Sequence, residues 1–250
     1  MAANNLRIIS ANRVSAVGGS WTGTSTNVLN DYRSQYATTA AASFTATISS
    51  AFVVGTNIAV IVVLANTSTT ISMTATATNF TSSTGNTVVS GATTYGKGGG
   101  QYITVYGTVT GGSSGTTFTI NLPSGTNVSR IIIGEYWSPK YNTGFGIQTG
   151  FNDSSTSERT QSGDLYTIYG TRNKTLSLSL EYMDESDKYE LYDIIKYCGK
   201  MIPIFISIFP SDTDLEKEQM FSIYGKFTDL TTITHSKWTI YSSSISLEEI

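Results

Sequence analysis

The sequence predicts a mainly β protein: an N-terminal β-sandwich of jelly-roll type, followed by a C-terminal β-sheet domain against which one α-helix packs. Two observations carry this prediction. In the first half, short alternating apolar and polar runs are separated by glycine, serine, threonine and asparagine, as is typical of antiparallel strands joined by tight turns. In the second half, one amphipathic segment has the spacing and the end residues of a helix.

The strands of the first half follow from its alternating pattern. The clearest is the apolar run at residues 58–64, whose β-branched content favours a buried strand. Threonine is abundant because its branched side chain suits a strand while its hydroxyl meets water, which keeps a sheet soluble with almost no charge. Strands are expected at residues 43–49, 58–64, 102–109 and 117–122.

The second half contains a helix signal at residues 185–198. Asp184 directly precedes this segment and has a side chain that suits a helix N-cap, and Gly199 directly follows it, where a glycine commonly ends a helix. Leu191, Ile194 and Cys198 follow at helical spacing, so the single cysteine is expected on the buried face as an inert thiol. Strands are expected at residues 176–180, 202–209, 219–228 and 237–247.

Charge divides the chain near Arg130. Only 13% of the 250 residues are charged, where about 25% is usual. The first 129 residues hold four basic and one acidic side chain, and the remainder holds the other eleven basic and seventeen acidic ones. This shift predicts two domains, residues 1–129 and residues 130–250. A nearly neutral β-surface repels its neighbours weakly, so the first domain is expected in an assembly or at a contact surface.

The bulk properties also exclude several partners. A sequence pI near 5.2 without a run of lysine or arginine argues against nucleic acid, because phosphate neutralisation supplies most of that affinity. The apolar run at 58–64 is far shorter than the roughly 20 residues that span a bilayer, so no membrane insertion is expected. Residues 1–5 lack the pattern of a signal peptide, which indicates synthesis in a cytoplasm.

No catalytic residue, metal site or cofactor is expected. With one histidine, His235, and one cysteine, the chain lacks the ligand set of a usual zinc site, and His235 is interpreted as a hydrogen-bonding or interface residue. Residues 111–115 match the nucleophile pattern G-x-S-x-G, but a strand follows where hydrolases have a helix, so a hairpin loop is expected. Residues 212–218 lack the glycine of a calcium loop and are interpreted as a solvated loop. A pair of glycosidase carboxylates in the second half remains possible, although the spacing of the acidic residues singles out no pair.

The candidate binding residues are aromatic. Tyrosines on loops hold sugars or protein partners at little entropic cost. In the first half, rings are combined with charges at Trp21, Tyr32, Arg33 and Tyr36. Two interpretations stay open: the four residues contact a ligand, or Asp31 pairs with Arg33 and pins a loop that crosses the end of the sandwich.

Particular segments resemble known families. The opening of the chain looks like that of discoidin-like modules with the galactose-binding fold, at residues 6–10, 28–34 and 44–48. The second half is similar to tail proteins of long-tailed phages and prophages, at residues 131–139, 162–165, 205–210, 219–226 and 244–250. The order of sheet, helix 185–198 and strand 202–209 also resembles the ring-forming fold of tail-tube and distal-tail proteins.

The resemblance implies a non-enzymatic structural component of the virion, located at the tail tip or baseplate. It implies a homo-oligomeric ring around the tail axis, contacts with other tail proteins, and a sandwich domain that projects outward. Such a protein is made in the cytoplasm of the bacterial host and resides in the virion. The alternative is a receptor-recognition tail protein whose first domain binds a host-surface glycan, and an enzyme acting on polysaccharide is the third hypothesis.

Overall fold

The computed structural model describes residues 5–32, 34–65, 71–77, 80–82, 87–88, 101–110, 117–211 and 214–250. Strands account for 54% of these described residues and helical elements for 11%, which confirms the predicted mainly β class with two sheets and a packed helix. The described elements, in chain order, are β1 (Arg7–Ile9), β2 (Val14–Thr22), a 3-10 turn (Ser25–Leu29), β3 (Ala37–Ile48), β4 (Asn57–Leu64), β5 (Ile71–Ser72), β6 (Thr74–Thr76), β7 (Phe80–Ser82), β8 (Thr87–Val88), β9 (Gln101–Val109), β10 (Thr117–Asn121), β11 (Asn127–Glu135), β12 (Gln148–Asp153), β13 (Thr156–Arg159), β14 (Leu165–Ile168), β15 (Arg172–Met183), α1 (Glu185–Cys198), β16 (Ile204–Ser207), α2 (Leu215–Met220), β17 (Ser222–Phe227), β18 (Ile233–Lys237) and β19 (Ile240–Glu249).

The first sheet folds over itself into a β-sandwich. Its eight strands follow the order β6-β10-β3-β11-β4-β9-β7, and β2 also pairs with β3. The long strand β3 belongs to both layers, because Ala37 and Thr38 pair with β11 whereas residues 43–47 pair with β10. Phe44 and Phe118 of one layer pack in the same core as Val60 and Ile131 of the other.

Strand β4 is buried on both of its faces. Ile58, Val60 and Val62 face the core of the sandwich, and alternate residues such as Ile61 face the second sheet. There they pack with Phe205 of β16. Side chains alternate between the faces of a strand, so a strand covered on both sides needs an unbroken apolar run. This burial explains the apolar segment at 58–64 and confirms the strand predicted there.

The second sheet carries the helix. Its strands follow the order β1-β16-β17-β19-β15-β12, and β18 also pairs with β19. Leu191, Ile194 and Cys198 of α1 are buried against this sheet. The Asp184 side chain accepts a hydrogen bond from the amide of Asp187, and Gly199 ends the helix with φ of 49°. The helix predicted at 185–198 is confirmed, together with its two caps and its buried cysteine.

The two sheets are joined almost without a linker. Strand β11 ends the sandwich at Glu135, and Trp137 already forms a β-bridge with Ile8 of the second sheet. The single residue between them, Tyr136, packs edge-on against Tyr106 of β9 at 5.5 Å between ring centroids. Chain continuity and packing therefore both fix the orientation of the sandwich on the second sheet.

The strands do not follow the predicted boundary at residues 129/130. Residues 6–10, assigned to the opening of the sandwich, instead include β1, which pairs with β16 in the second sheet because Leu6 and Ile8 fill the core under α1. Strand β11 runs through the boundary, since Ile131 and Ile133 complete the core of the sandwich. Whether the two halves act as separate domains stays a prediction.

One local expectation was wrong. Residues 215–218 were expected in a solvated loop and residues 219 and 220 at the start of a strand, but together they form α2. Asp214 caps this helix by accepting from the amide of Lys217. The segment is also not fully solvated, because Glu218 is buried and its Oε1 accepts from the amide of Ser211 at 3.1 Å. The predicted hairpin loop at residues 111–115 lies outside the described residues, as do residues 212 and 213.

Candidate functional site

Three of the four predicted contact residues, Trp21, Tyr32 and Tyr36, fall within the described part of the chain. Trp21 in β2 packs its ring on Phe44, with 4.8 Å between centroids, and its Nε1 donates to the carbonyl of Gly18. Tyr32 is 68% exposed and Tyr36 is 41% exposed. Among the described residues, no hydrogen bond or ring contact joins Trp21 to either tyrosine. Arg33 lies outside the described residues.

Asp31 anchors the loop that carries Tyr32. Its Oδ1 accepts from Arg130 at 2.8 Å and from the hydroxyl of Tyr224 at 3.0 Å. Arg130 also donates to the carbonyl of Leu29 at 2.9 Å. Burial raises the pKa of Tyr224, so its hydroxyl remains a donor at neutral pH. The loop is therefore attached both to β11 of the sandwich and to β17 of the second sheet, through a pair that sequence reasoning did not identify.

An exposed hairpin projects from the end of the second sheet. Strands β12 and β15 pair as far as Asp153 and Arg172, and β13 and β14 then form a separate two-stranded sheet. We call residues 154–171 the arm. An isolated two-stranded hairpin is at best marginally stable in water, because neither face is covered. The arm nevertheless carries exposed apolar side chains at Leu165, Tyr166 and Ile168, with Tyr169 90% exposed.

Polar contacts fix the shape of the arm at its base. The carboxylate of Asp153 accepts from the amide of Ser155 at 2.9 Å and from Nε of Arg172 at 2.7 Å. Hydrogen bonds from Ser155, together with the Arg172 guanidinium, lower the pKa of Asp153 to about 2. A Cβ atom at Gly170 would lie 2.3 Å from the backbone carbonyl carbon of Ser154, so the two chain segments that enter the arm are in close contact.

Polar contacts also hold the arm at its tip. Arg159 donates to the carbonyl of Gly163 at 2.9 Å, and Ser162 donates to the carboxylate of Asp164 at the same distance. The apolar side chains of β14 make no comparable contribution to the fold of the arm, since they are exposed. Tyr166 and Ile168, two residues apart, share one face of β14. An apolar patch held in a fixed shape but left in water is typical of an interaction surface.

The arm was missed at the sequence level. A usable signal existed, because Gly163 marks a turn and the next residues, Leu165 to Tyr169, are rich in β-forming side chains. What sequence could not show is that these strands pair only with each other among the described residues, which leaves their apolar side chains exposed.

The structure brings together no described cluster suited to metal binding. Within the described residues, no group of three or more histidine, cysteine or carboxylate side chains could hold a metal ion. His235 lies in β18 with its ring stacked on Tyr241 at 4.7 Å. The absence of catalytic activity stays a prediction.

Comparison with solved structures gives a distant likeness to a tail chain. Neither a protein family nor a curated protein matches the sequence. A solved chain described as the tail of an empty GTA particle with C6 symmetry is 14% identical, with a TM-score of 0.32. The match covers 47% of this chain and 83% of that one. This distant neighbour belongs to a tail particle. In the described part of the chain, no helix has the length and hydropathy needed to cross a membrane.

Proposed function

We propose that the chain is a non-enzymatic structural component of a phage tail. The observation that carries the proposal is the arm, whose apolar side chains are exposed although its base and tip are held by polar contacts. Burial of such side chains against another subunit supplies the stabilisation that an isolated hairpin lacks. The sequence of the second half resembles tail proteins, and this resemblance is the reason for assigning the assembly role to a phage tail.

The finer proposal is a ring at the tail tip or baseplate. An arm that reaches a neighbouring copy meets a surface different from itself, so the contact is heterologous, and repetition of a heterologous contact closes into a ring or extends as a helix. We place copies of this chain around the tail axis, in contact with other tail proteins. The protein is made in the host cytoplasm and incorporated into the virion.

The test compares full-length variants in the arm and on the helix. Light scattering and electron microscopy should show an oligomer for the unaltered protein. The double variant Tyr166→Ser with Ile168→Ser should shift it towards monomer, because it removes the exposed apolar face of β14. The matched control, Tyr189→Ser with Tyr192→Ser, changes two exposed tyrosines of α1 and should leave assembly unaltered. A monomer at every concentration, absent from purified tails, would overturn the proposal.

Placement at the tail tip needs a separate experiment. Antibody-labelled particles viewed by electron microscopy should carry the label at the distal end of the tail. Label along the whole tail, or on the head, would reject the tip or baseplate location while leaving a structural role intact.

A second candidate is receptor recognition by the first half of the chain. It is favoured by Tyr32 and Tyr36, two exposed rings on a loop whose position Asp31 fixes. Binding of the full-length protein to host cells should fall on Tyr32→Ala and stay constant on Tyr192→Ala. Equal binding by both variants would sink this candidate. Incubation with host capsule tests the enzymatic alternative, and new reducing ends would contradict the non-enzymatic proposal.

A further inference from the structure

A groove lies where the loop after Trp137, the end of β15 and the start of β19 meet. Its volume is about 510 Å³, within the range of roughly 300–1,000 Å³ that is common for small-molecule sites. We call it the tyrosine groove, after Tyr141 and Tyr182, which line it together with Lys140, Asp184 and Thr239. None of these residues belongs to the arm or to the predicted contact set.

Two aromatic rings border the tyrosine groove. Tyr141 is 52% exposed and Tyr182 is 57% exposed. Met183, the residue after Tyr182, is buried in the core under α1. The face of an aromatic ring is electron-rich, and the C–H groups on one side of a sugar ring carry a small positive charge, so the two surfaces attract each other. The hydroxyl of each tyrosine adds a donor and an acceptor.

The charges at the tyrosine groove cancel. Nζ of Lys140 lies 3.7 Å from Oδ2 of Asp184, and both side chains are partly exposed. The ammonium group supplies donors and the carboxylate supplies acceptors, which together match hydroxyl groups that both donate and accept. A paired cation and anion leave no net charge to attract a phosphate or a metal ion. The polar chemistry therefore favours an uncharged, polyhydroxylated ligand.

The walls of the tyrosine groove are held in place without a ligand. The carboxylate of Asp187, a buried side chain of α1, accepts from the amide of Lys140 at 3.1 Å. From the other side, Nδ2 of Asn5 donates to the carbonyls of Pro139 at 2.9 Å and Lys140 at 3.1 Å. A loop fixed in this way loses little conformational freedom on binding, which favours affinity.

We propose that the tyrosine groove is a binding site for a neutral saccharide. One or two sugar rings stack on Tyr141 and Tyr182, and their hydroxyl groups exchange hydrogen bonds with Lys140 and Asp184. This site is separate from the proposed assembly surface, and its existence does not depend on ring formation. It also differs from the loop of Tyr32, where sequence reasoning placed the candidate glycan contacts.

The experiment uses the full-length protein and a glycan array, followed by calorimetry with the best neutral oligosaccharide and with lactose, maltotriose and chitotriose. At least one neutral sugar should bind, with an affinity that is the same at low and high salt, because no net charge is involved. Tyr141→Ala and Tyr182→Ala should each weaken binding about tenfold, since each removes one stacking surface. Tyr192→Ala, at an equally exposed tyrosine on α1, should change nothing.

Circular dichroism and urea unfolding of each variant separate a binding defect from a folding defect. If Tyr182→Ala unfolds, Tyr182→Leu serves instead: it keeps a large apolar side chain but lacks the aromatic ring, so it should weaken binding as well, whereas Tyr182→Phe keeps the ring and should retain most of the affinity. The proposal is overturned if no neutral glycan binds, if binding survives unchanged in both alanine variants, or if only charged glycans bind in a salt-dependent way. It is equally overturned if Tyr141→Ala and Tyr182→Ala shift the oligomer towards monomer in light scattering, because a second copy of the chain would then occupy the groove.

Discussion

The hydroxyl of Tyr102 donates a hydrogen bond to Oε1 of Glu249 at 2.6 Å, across the interface between the two sheets. Both side chains are buried, Tyr102 in β9 of the sandwich and Glu249 at the end of β19. The same hydroxyl accepts from the amide of Tyr224 at 3.1 Å, and the ring packs edge-on against Phe205 at 5.3 Å. A single tyrosine thus combines apolar packing with two polar contacts to the opposite sheet.

Tyr102→Phe keeps the ring and removes the hydroxyl. We expect the free energy of unfolding to fall by about 1–3 kcal/mol, because a buried carboxylate loses a donor and the amide of Tyr224 loses its acceptor. Urea unfolding followed by circular dichroism measures the change. Tyr192→Phe, at an exposed position, is the control and should stay within about 0.5 kcal/mol. Equal stabilities would show that the bond contributes nothing to the interface.

A chain cut after residue 129 should not fold cooperatively. The cut passes through β11 and removes Ile131 and Ile133, both of which are fully buried in the sandwich. It also exposes the second face of β4, including Ile61, which packs against the other sheet in the full-length protein. We expect aggregation in light scattering and no sharp thermal transition. A soluble fragment with a cooperative transition would instead establish residues 1–129 as an independent domain.

Gly225→Ala should strongly destabilise the second sheet. A methyl group at Gly225 would lie 2.2 Å from the carbonyl oxygen of Glu248 on the neighbouring strand, and a backbone atom in a paired strand has little freedom to move. We expect a loss of about 1–3 kcal/mol, the usual cost of overpacking. Thermal unfolding measures it. Gly150→Ala in the same sheet meets only Oγ1 of Thr175 at 3.5 Å and is the matched control. Comparable losses for both variants would contradict the steric explanation.

The base of the arm should loosen in acid. The pKa of Asp153 falls from 3.8 to about 2 on folding. The ionised carboxylate therefore contributes fully to the stability of the arm above pH 3.8, and this contribution disappears as the pH falls through about 2. The amide of Ser155, which donates to this carboxylate, should lose protection from hydrogen exchange across that window. NMR of the full-length protein follows it. Asp153→Asn should remove the pH dependence, and an unchanged profile in this variant would assign it to another group.

The sequence predicts elements whose periodicity and end residues agree. In α1, spacing, the N-cap Asp184 and Gly199 all point to the same helix, and the structure contains it with those bounds. In β4, an unbroken apolar run predicts burial. By contrast, β1 has only three residues, and nothing in so short a run indicates which of two sheets it joins. Its place in the second sheet follows from a long-range fit under α1, which local patterns do not contain.

Binding surfaces are harder to predict, because they depend on exposure and on distant neighbours. Tyr141 and Tyr182 are 41 positions apart in sequence yet line one groove. Asp31 pairs with Arg130 of β11, whereas the local pattern offered Arg33 as its nearest cation. Composition singles out aromatic rings as candidates for binding, but which of these rings lie close together follows only from the fold.

The one-residue connection through Tyr136 has a mechanical consequence. A tether of several residues would let the sandwich swivel and absorb strain, whereas a single residue packed between two sheets leaves almost no free torsion. A pull or twist applied to the sandwich is therefore transmitted to the second sheet as shear across β4, β9 and the strands opposite them. Force applied to the sandwich therefore reaches the second sheet directly, because no hinge lies between them.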